Sequence, residues 1–105
     1  MRESTVEEYL VAKVKALGGE IRKVHWGGRS KAPDRVVMLP SHDGEGRMTF
    51  NEGTTWVEVK NPQTIKHFPS NAHERAQDRE HERMRKVGQR VLVLGTFEQI
   101  DEAFP

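Results

Sequence analysis

The sequence predicts an α/β domain built around a mixed sheet, on three observations. Val6, Leu10, Val14 and Leu17 recur at the spacing of a helix with one buried stripe. Short runs rich in β-branched residues follow, each bounded by Gly, Pro or polar clusters. A long polar segment of helical character then separates the last such run, Val91-Leu92-Val93-Leu94, from the others.

The elements follow in order. Ser4 or Thr5 opens the first helix, because Ser4-x-x-Glu7 and Thr5-x-x-Glu8 both read as capping boxes. Gly18-Gly19 ends it. Glu20 to Trp26 is short and β-like, and Gly27-Gly28-Arg29-Ser30 is a turn. Arg35 to Leu39, Thr55 to Lys60 and Arg90 to Leu94 are strands. Pro40 to Thr54 is a polar loop joining two strands of a hairpin, and Asn61 to Asn71 is a second irregular stretch containing two prolines. A helix runs from His73 to Val87 and closes at Gly88. Thr96-x-x-Gln99 caps a short final helix ending near Phe104. The order is α-β-β-β-α-β with one more helix. No repeat or linker divides it, so residues 1–105 are expected to form a single domain.

A chain of 105 residues builds one modest core. With 34% hydrophobic and 31% charged residues it is more polar than an ordinary enzyme domain, which leaves room for a second copy to complete its apolar surface. The absence of cysteine excludes a disulfide frame and a thiolate metal site. The longest apolar runs are too short to span a bilayer, and Glu3, Glu7 and Glu8 do not suit a secretory signal. A soluble, cytoplasmic protein with no membrane partner is expected. Net charge is +1, yet Arg22, Lys23, Arg29, Lys31 and Arg35 crowd a segment whose one acid is Asp34. Such a face can hold a polyanion, although these counts alone fit a solvated surface equally well.

The second long helix is unusual. Its apolar positions are Ala76, Met84 and Val87, and its inward stripe contains His73, Gln77, His81 and Met84. Either it is mostly exposed, or it borders a polar site whose groups have partners.

Thr55-Trp56-Val57-Glu58-Val59-Lys60 is the informative strand. Alternation puts Val57 and Val59 on one face, and Glu58 and Lys60 on the other. Alone, a Glu-x-Lys pair is ordinarily solvated, and Pro33-Asp34 ahead of a strand is ordinary turn chemistry. Together they say more, because a hairpin would bring Asp34 alongside Glu58 with Lys60 beside them. Two unshielded carboxylates about 4 Å apart repel by ~4 kcal/mol at an effective dielectric near 20, and a divalent cation removes that repulsion. Asp34, Glu58 and the Val59 backbone carbonyl, with waters, suit octahedral Mg²⁺. Such a cation activates water and stabilises charge on a scissile phosphate, and Lys60 would position the attacking water. No serine has a recognisable Ser-His-Asp context. His25, His42, His67, His73 and His81 lack the i, i+4 pairing that zinc prefers and read as surface or DNA-facing residues.

Glu7, then Gly28-Arg29-Ser30-Lys31-Ala32-Pro33-Asp34-Arg35, Trp56-Val57-Glu58-Val59-Lys60, and Gln77-x-x-x-His81 before Gly88 together resemble the VRR-NUC family, a branch of the PD-(D/E)XK nucleases. The resemblance runs from Arg2 to Thr96 and is nearest to the short stand-alone members of bacteriophages. It implies the restriction-endonuclease-like αβββαβ core, with a mixed central sheet flanked by helices. It also implies that Asp34 and Glu58 are metal ligands, Lys60 the catalytic lysine, and Gln77 the helix glutamine beside the active site. Glu7 would be the first-helix acid, with Glu3 one turn earlier as its substitute. The Pro40–Thr54 loop and the Asn61–Asn71 stretch depart from the compact family pattern and bear on substrate preference.

The expected function is a Mg²⁺- or Mn²⁺-dependent DNA endonuclease acting as a homodimer on branched DNA such as four-way junctions. Lys23, Arg29, Lys31 and Arg35 are the expected phosphate contacts, with Arg75, Arg79 and Arg83 as weaker ones; such contacts position DNA without reading its sequence. The alternatives are a non-catalytic DNA-binding or dimerisation module on a nuclease fold, and a nuclease acting on linear or flap DNA.

Overall fold

The structure, a computed structural model, describes residues 1–40, 45, 47 and 53–105. Helix α1 spans Glu3–Ala16 and buries Val6, Leu10 and Val14. Its N-cap is Arg2, in extended backbone and without a side-chain cap bond. Ser4 and Thr5 therefore lie inside the helix, and the capping boxes expected there do not form. The helix ends where Gly18 turns to φ +79°, a conformation glycine adopts without steric cost. The Gly18 and Gly19 amides donate to the carbonyls of Lys15 and Val14.

Strands β1 (Glu20–Lys23), β2 (Arg35–Met38), β3 (Thr54–Val59) and β4 (Val91–Leu94) form a sheet in the order β1-β2-β3-β4. The first three are antiparallel neighbours, with Lys23 opposite Arg35 and Arg35 opposite Val57. Most of the Pro40–Thr54 connection expected to close this hairpin lies outside the described residues. β4 pairs parallel with β3, Glu58 facing Val93, because α2 (Ala72–Lys86) carries the chain back between them. The mixed sheet expected from the sequence is thus observed. A 3-10 turn at Ile65–His67 sits within the Asn61–Asn71 stretch. α3 (Phe97–Ala103) begins with a reciprocal capping box between Thr96 and Gln99, as its sequence indicates.

The apolar core occupies one face of the sheet. Val37, Val57, Val59 and Leu94 meet Val6, Leu10 and Val14 of α1, with Ile100 and Phe104 from the C-terminal end. Each such side chain contributes about 1.5–3 kcal/mol by leaving water. Tyr9 stacks on Phe97 at 4.1 Å, and its hydroxyl donates to Asp101. The α2 side is different in kind. Helix α2 buries Glu74, Gln77, Glu80 and His81, while Val87 is 76% exposed. The helix therefore borders a polar cluster instead of completing a second apolar layer.

Among the described residues no helix is long and apolar enough to cross a membrane.

Candidate active site

Strand β3 sorts its side chains as its alternation requires. Thr55, Val57 and Val59 are buried against the core, while Trp56 and Glu58 face the α2 side and are half-buried. Lys60 follows the strand, its amide donating to the Leu94 carbonyl at 2.9 Å and holding the backbone in line with β4. Its ammonium donates to Gln77 Oε1 at 2.7 Å and lies 3.5 Å from Glu74 Oε2. One turn further along α2, His81 Nε2 stands 4.0 Å from Glu58 Oε1. Four helical residues advance about 6 Å and two strand residues about 6.6 Å. Helix and strand run in opposite directions and stay in step, so Gln77 faces Lys60 and His81 faces Glu58.

Glu74 is itself held in place. Asn71, the N-cap of α2, accepts from the Glu74 amide at 2.8 Å. The Glu74 carboxylate accepts from the Ser70 amide and hydroxyl at 2.9 and 2.8 Å, and these bonds lower its pKa below the ordinary value. Lys60 is thereby given a fixed counter-charge, and its ammonium also lies 5.4 Å from the centre of the Phe68 ring.

Asp34 reaches the site from the opposite direction. It precedes β2, after the buried residues Ala32 and Pro33, and its carbonyl accepts from the Val24 amide at 2.8 Å. The Trp26 indole donates to the Pro33 carbonyl at 2.7 Å and packs against Trp56 at 5.3 Å, which fixes the segment over the sheet. The Glu58 carboxyl is pushed up to about 7, first by burial and then by the negative charge of Asp34, with Lys60 opposing. Glu3 and Glu7 add smaller repulsions, and Glu3 is itself raised by burial and by Glu7 and Asp34. Asp34 and Glu58 are thus brought into one electrostatic neighbourhood, with α1 supplying two more acids.

Glu7 and Glu3 are placed differently within it. Glu7 Oε2 accepts from Arg35 at 3.0 Å in a largely enclosed pair. Glu3 feels the Lys60 charge and, among the described residues, forms no such pair.

The excess of negative charge fits a divalent cation. Neither the Asp34 nor the Glu58 carboxylate accepts a hydrogen bond among the described residues, and His81 is held neutral, its pKa pushed down to about 4 chiefly by burial. Among the described residues no three His, Asp or Glu side chains form a complete cage.

The cations proposed from sequence for phosphate contact have separate positions. Lys23 is exposed on β1. Arg29 is exposed and lies 3.7 Å from the buried Glu80. Lys31 meets His73 Nδ1 across the gap to α2. Arg35 is enclosed against Glu7 and is not free at the surface. Arg75 and Arg79 are exposed, and Arg83 pairs with Glu80 at 2.9 Å. Sequence reasoning missed the buried acids Glu74 and Glu80; it set His81 on the inward stripe of this helix yet also grouped it with the surface or DNA-facing histidines, and the structure buries it completely. His25, His67 and His73 are exposed as expected, and His42 lies outside the described residues. The available signal was position: Glu74, Gln77 and His81 share one helix face, which hydropathy alone does not mark as inward.

No protein-family model matches the sequence. The chain is 32% identical over 94 residues to the protein described as "Putative nuclease p44" of Acyrthosiphon pisum secondary endosymbiont phage 1, covering 90% of this chain and 83% of that protein. It also matches a solved structure described as "VRR_NUC domain" with a TM-score of 0.67 and 36% identity, over 95% of this chain and 90% of the other. Both likenesses span the Asp34, Glu58-x-Lys60 and Gln77 elements that converge here, and the chain belongs to the VRR-NUC family of nucleases.

Proposed function

We propose that this protein is a divalent-cation-dependent endonuclease that hydrolyses DNA phosphodiester bonds, acting as a homodimer on branched DNA such as four-way junctions. The observation that carries the chemistry is a Lys60 held at 2.7 Å by Gln77 beside a Glu58 whose pKa is raised by burial and by the charge of Asp34. Family membership supports the nuclease activity. We assign one nuclease domain to residues 1–105.

Asp34, Glu58 and the Val59 carbonyl are the proposed ligands of Mg²⁺ or Mn²⁺, which when bound supplies Lewis-acid stabilisation of charge on the scissile phosphate. The chain's own groups do the rest. The Lys60 ammonium has three N–H donors, of which Gln77 takes one and Glu74 faces another. The third remains to hold the attacking water or a phosphate oxygen. Gln77 keeps the ammonium pointed, and Glu74 balances its charge. On α1, the coupling of Glu3 to Asp34 and Lys60 favours Glu3 as the acid acting beside the site. Glu7, the residue expected for that role, is proposed to act through Arg35 instead. Lys23, Arg29 and Lys31 are proposed to contact phosphates. A non-catalytic module is the weaker alternative, because every acid, lysine and glutamine of the motif is present.

The proposed dimer matches the symmetry of the proposed substrate. Resolving a four-way junction takes two coordinated cuts, which a two-fold pair of sites supplies. End-labelled four-way junction, flap, single-stranded and linear duplex DNA, incubated with Mg²⁺, Mn²⁺, Ca²⁺ or chelator, tests the proposal alongside light scattering at micromolar concentration. Junction cleavage by a dimer in Mg²⁺ and Mn²⁺ is expected. Undiminished cutting in chelator would remove the cation, and a monomer that cuts duplex equally well would remove the junction role.

A further inference from the structure

His81 is the one residue whose buried side-chain polar atoms lack a partner among the described residues. It is 0% exposed, and both ring nitrogens are without a hydrogen bond. A buried imidazole with nothing to bond is destabilising, so its presence calls for a use. Its ring is fixed against Phe68, centroids 6.2 Å apart and planes 19° apart. That orientation sets Nε2 4.0 Å from Glu58 Oε1, about 1 Å beyond hydrogen-bond length. On the same helix face, one turn earlier, Gln77 has already closed the equivalent gap to Lys60 at 2.7 Å.

We propose that His81 is the positioning residue for Glu58: its Nε2–H donates to Oε1 when Glu58 is ionised and holding a cation, which leaves Oε2 to face Asp34. The inference rests on the cation reading above. An ionised carboxylate accepts hydrogen bonds and has none in this structure from the described residues, while a neutral imidazole has one N–H to give. The site's nearest unsatisfied acceptor and donor are therefore neighbours. Helix α2 then sets both reactive side chains at the end of β3, Lys60 through Gln77 and Glu58 through His81.

The test measures Mn²⁺ binding by titration calorimetry on the full chain without DNA. His81→Phe keeps ring volume and the Phe68 contact but removes the donor, and His81→Gln keeps a donor near the Nε2 position. Loss of partners that orient a metal ligand typically weakens metal affinity ~10–100-fold, and that loss is expected for His81→Phe with substantial recovery in His81→Gln. A folded His81→Phe protein binding Mn²⁺ as wild type does, or a folded His81→Gln protein as weak as His81→Phe, would overturn the proposal. Imidazole ¹⁵N spectra of the wild-type protein decide the matter even if the variants do not fold. An Nε2–H tautomer whose proton becomes protected on adding Mg²⁺ is expected, and an Nδ1–H tautomer in the Mg²⁺-loaded protein overturns it. Glu58→Ala separates the two readings. If it binds Mn²⁺ as well as wild type does, or if the wild-type chain binds none, the cation reading fails and His81 with it. If only His81→Phe is without effect, the cation site stands and the His81 role alone falls.

Discussion

Glu7 of α1 and Arg35 of β2 form an ion pair at 3.0 Å whose side chains are 27% and 18% exposed, fastening the first helix to the sheet beside the acidic site. Arg35 sits opposite Val57 in the ladder, so its side chain leaves the sheet on the core face. The pair engages one cation of the expected DNA surface with one acid of the expected catalytic set.

The first prediction separates the two acids of α1. Glu7→Gln should lower stability by about 1–2 kcal/mol, between the values for exposed and enclosed pairs, with Arg35→Gln similar and the double variant less than additive. Glu3→Gln should leave the melting temperature nearly unchanged and reduce cleavage. Denaturant melts and cleavage rates on the same samples check this. A stable but inactive Glu7→Gln protein would return the catalytic role to Glu7.

The second concerns the central residues. Asp34→Ala, Glu58→Ala and Lys60→Ala should each reduce DNA cleavage ~10²-fold or more while the protein stays folded, as expected for loss of groups acting on transition-state charge. Gln77→Ala should be milder, because Glu74 still faces Lys60 at 3.5 Å. Single-turnover rates with circular dichroism on each variant make the comparison.

The third uses pH in cation-free buffer. Glu58 titrates near 7 in the fold against an ordinary 4.5, so across that window the folded state holds a proton the unfolded chain has lost. Rising pH therefore destabilises the fold, by roughly 3 kcal/mol once pH exceeds 7. His81 acts with the opposite sign: near 4 in the fold against 6.5, it stabilises above 6.5, and that contribution is lost as pH falls towards 4. The two slopes oppose each other between about 4.5 and 6.5. Glu58→Gln should thus gain stability over wild type as pH rises from 4.5 to 7, while His81→Phe should gain as pH falls below 6.5. Thermal melts across this range are the measurement, and parallel curves for all three proteins would refute both shifts.

The fourth addresses DNA. Lys23→Ala and Arg29→Ala should each weaken binding to all sequences alike and lower the slope of log affinity against log salt by about 1. Arg35→Gln should leave that slope unchanged. Fluorescence anisotropy at several salt concentrations distinguishes the two classes.

The strand carrying Glu58 and Lys60 was legible because one of its faces enters an apolar core, and alternation then assigns the other face without further knowledge. The hairpin placing Asp34 nearby was legible for the same reason. Helix α2 was legible only in part. Its spacing puts Gln77 and His81 on the inward stripe, but Glu74 and Glu80 escape because their hydropathy marks them as exposed. Their burial is tolerable only through Ser70 and Lys60 for Glu74, and Arg29 and Arg83 for Glu80. Ser4 and Thr5 offered capping patterns two and three residues too late, because the backbone of Arg2 begins the helix without a side-chain cap. Arg35 counted as a basic residue in a basic segment, and composition does not reveal that Glu7 from a distant part of the sequence would neutralise it.

The polar inner face of α2 also shapes how the molecule comes apart. Helix α1 is anchored by Val6, Leu10 and Val14, whereas α2 sits on hydrogen bonds and ion pairs that water can replace at little net loss. Amide exchange should therefore report α2 opening at a lower free energy than α1 or the central strands. Each such excursion removes Gln77 from Lys60 and His81 from Glu58 together, while the apolar layer on the other side of the sheet persists. Catalytic competence and global folding are then separate equilibria, and the reactive geometry is lost first.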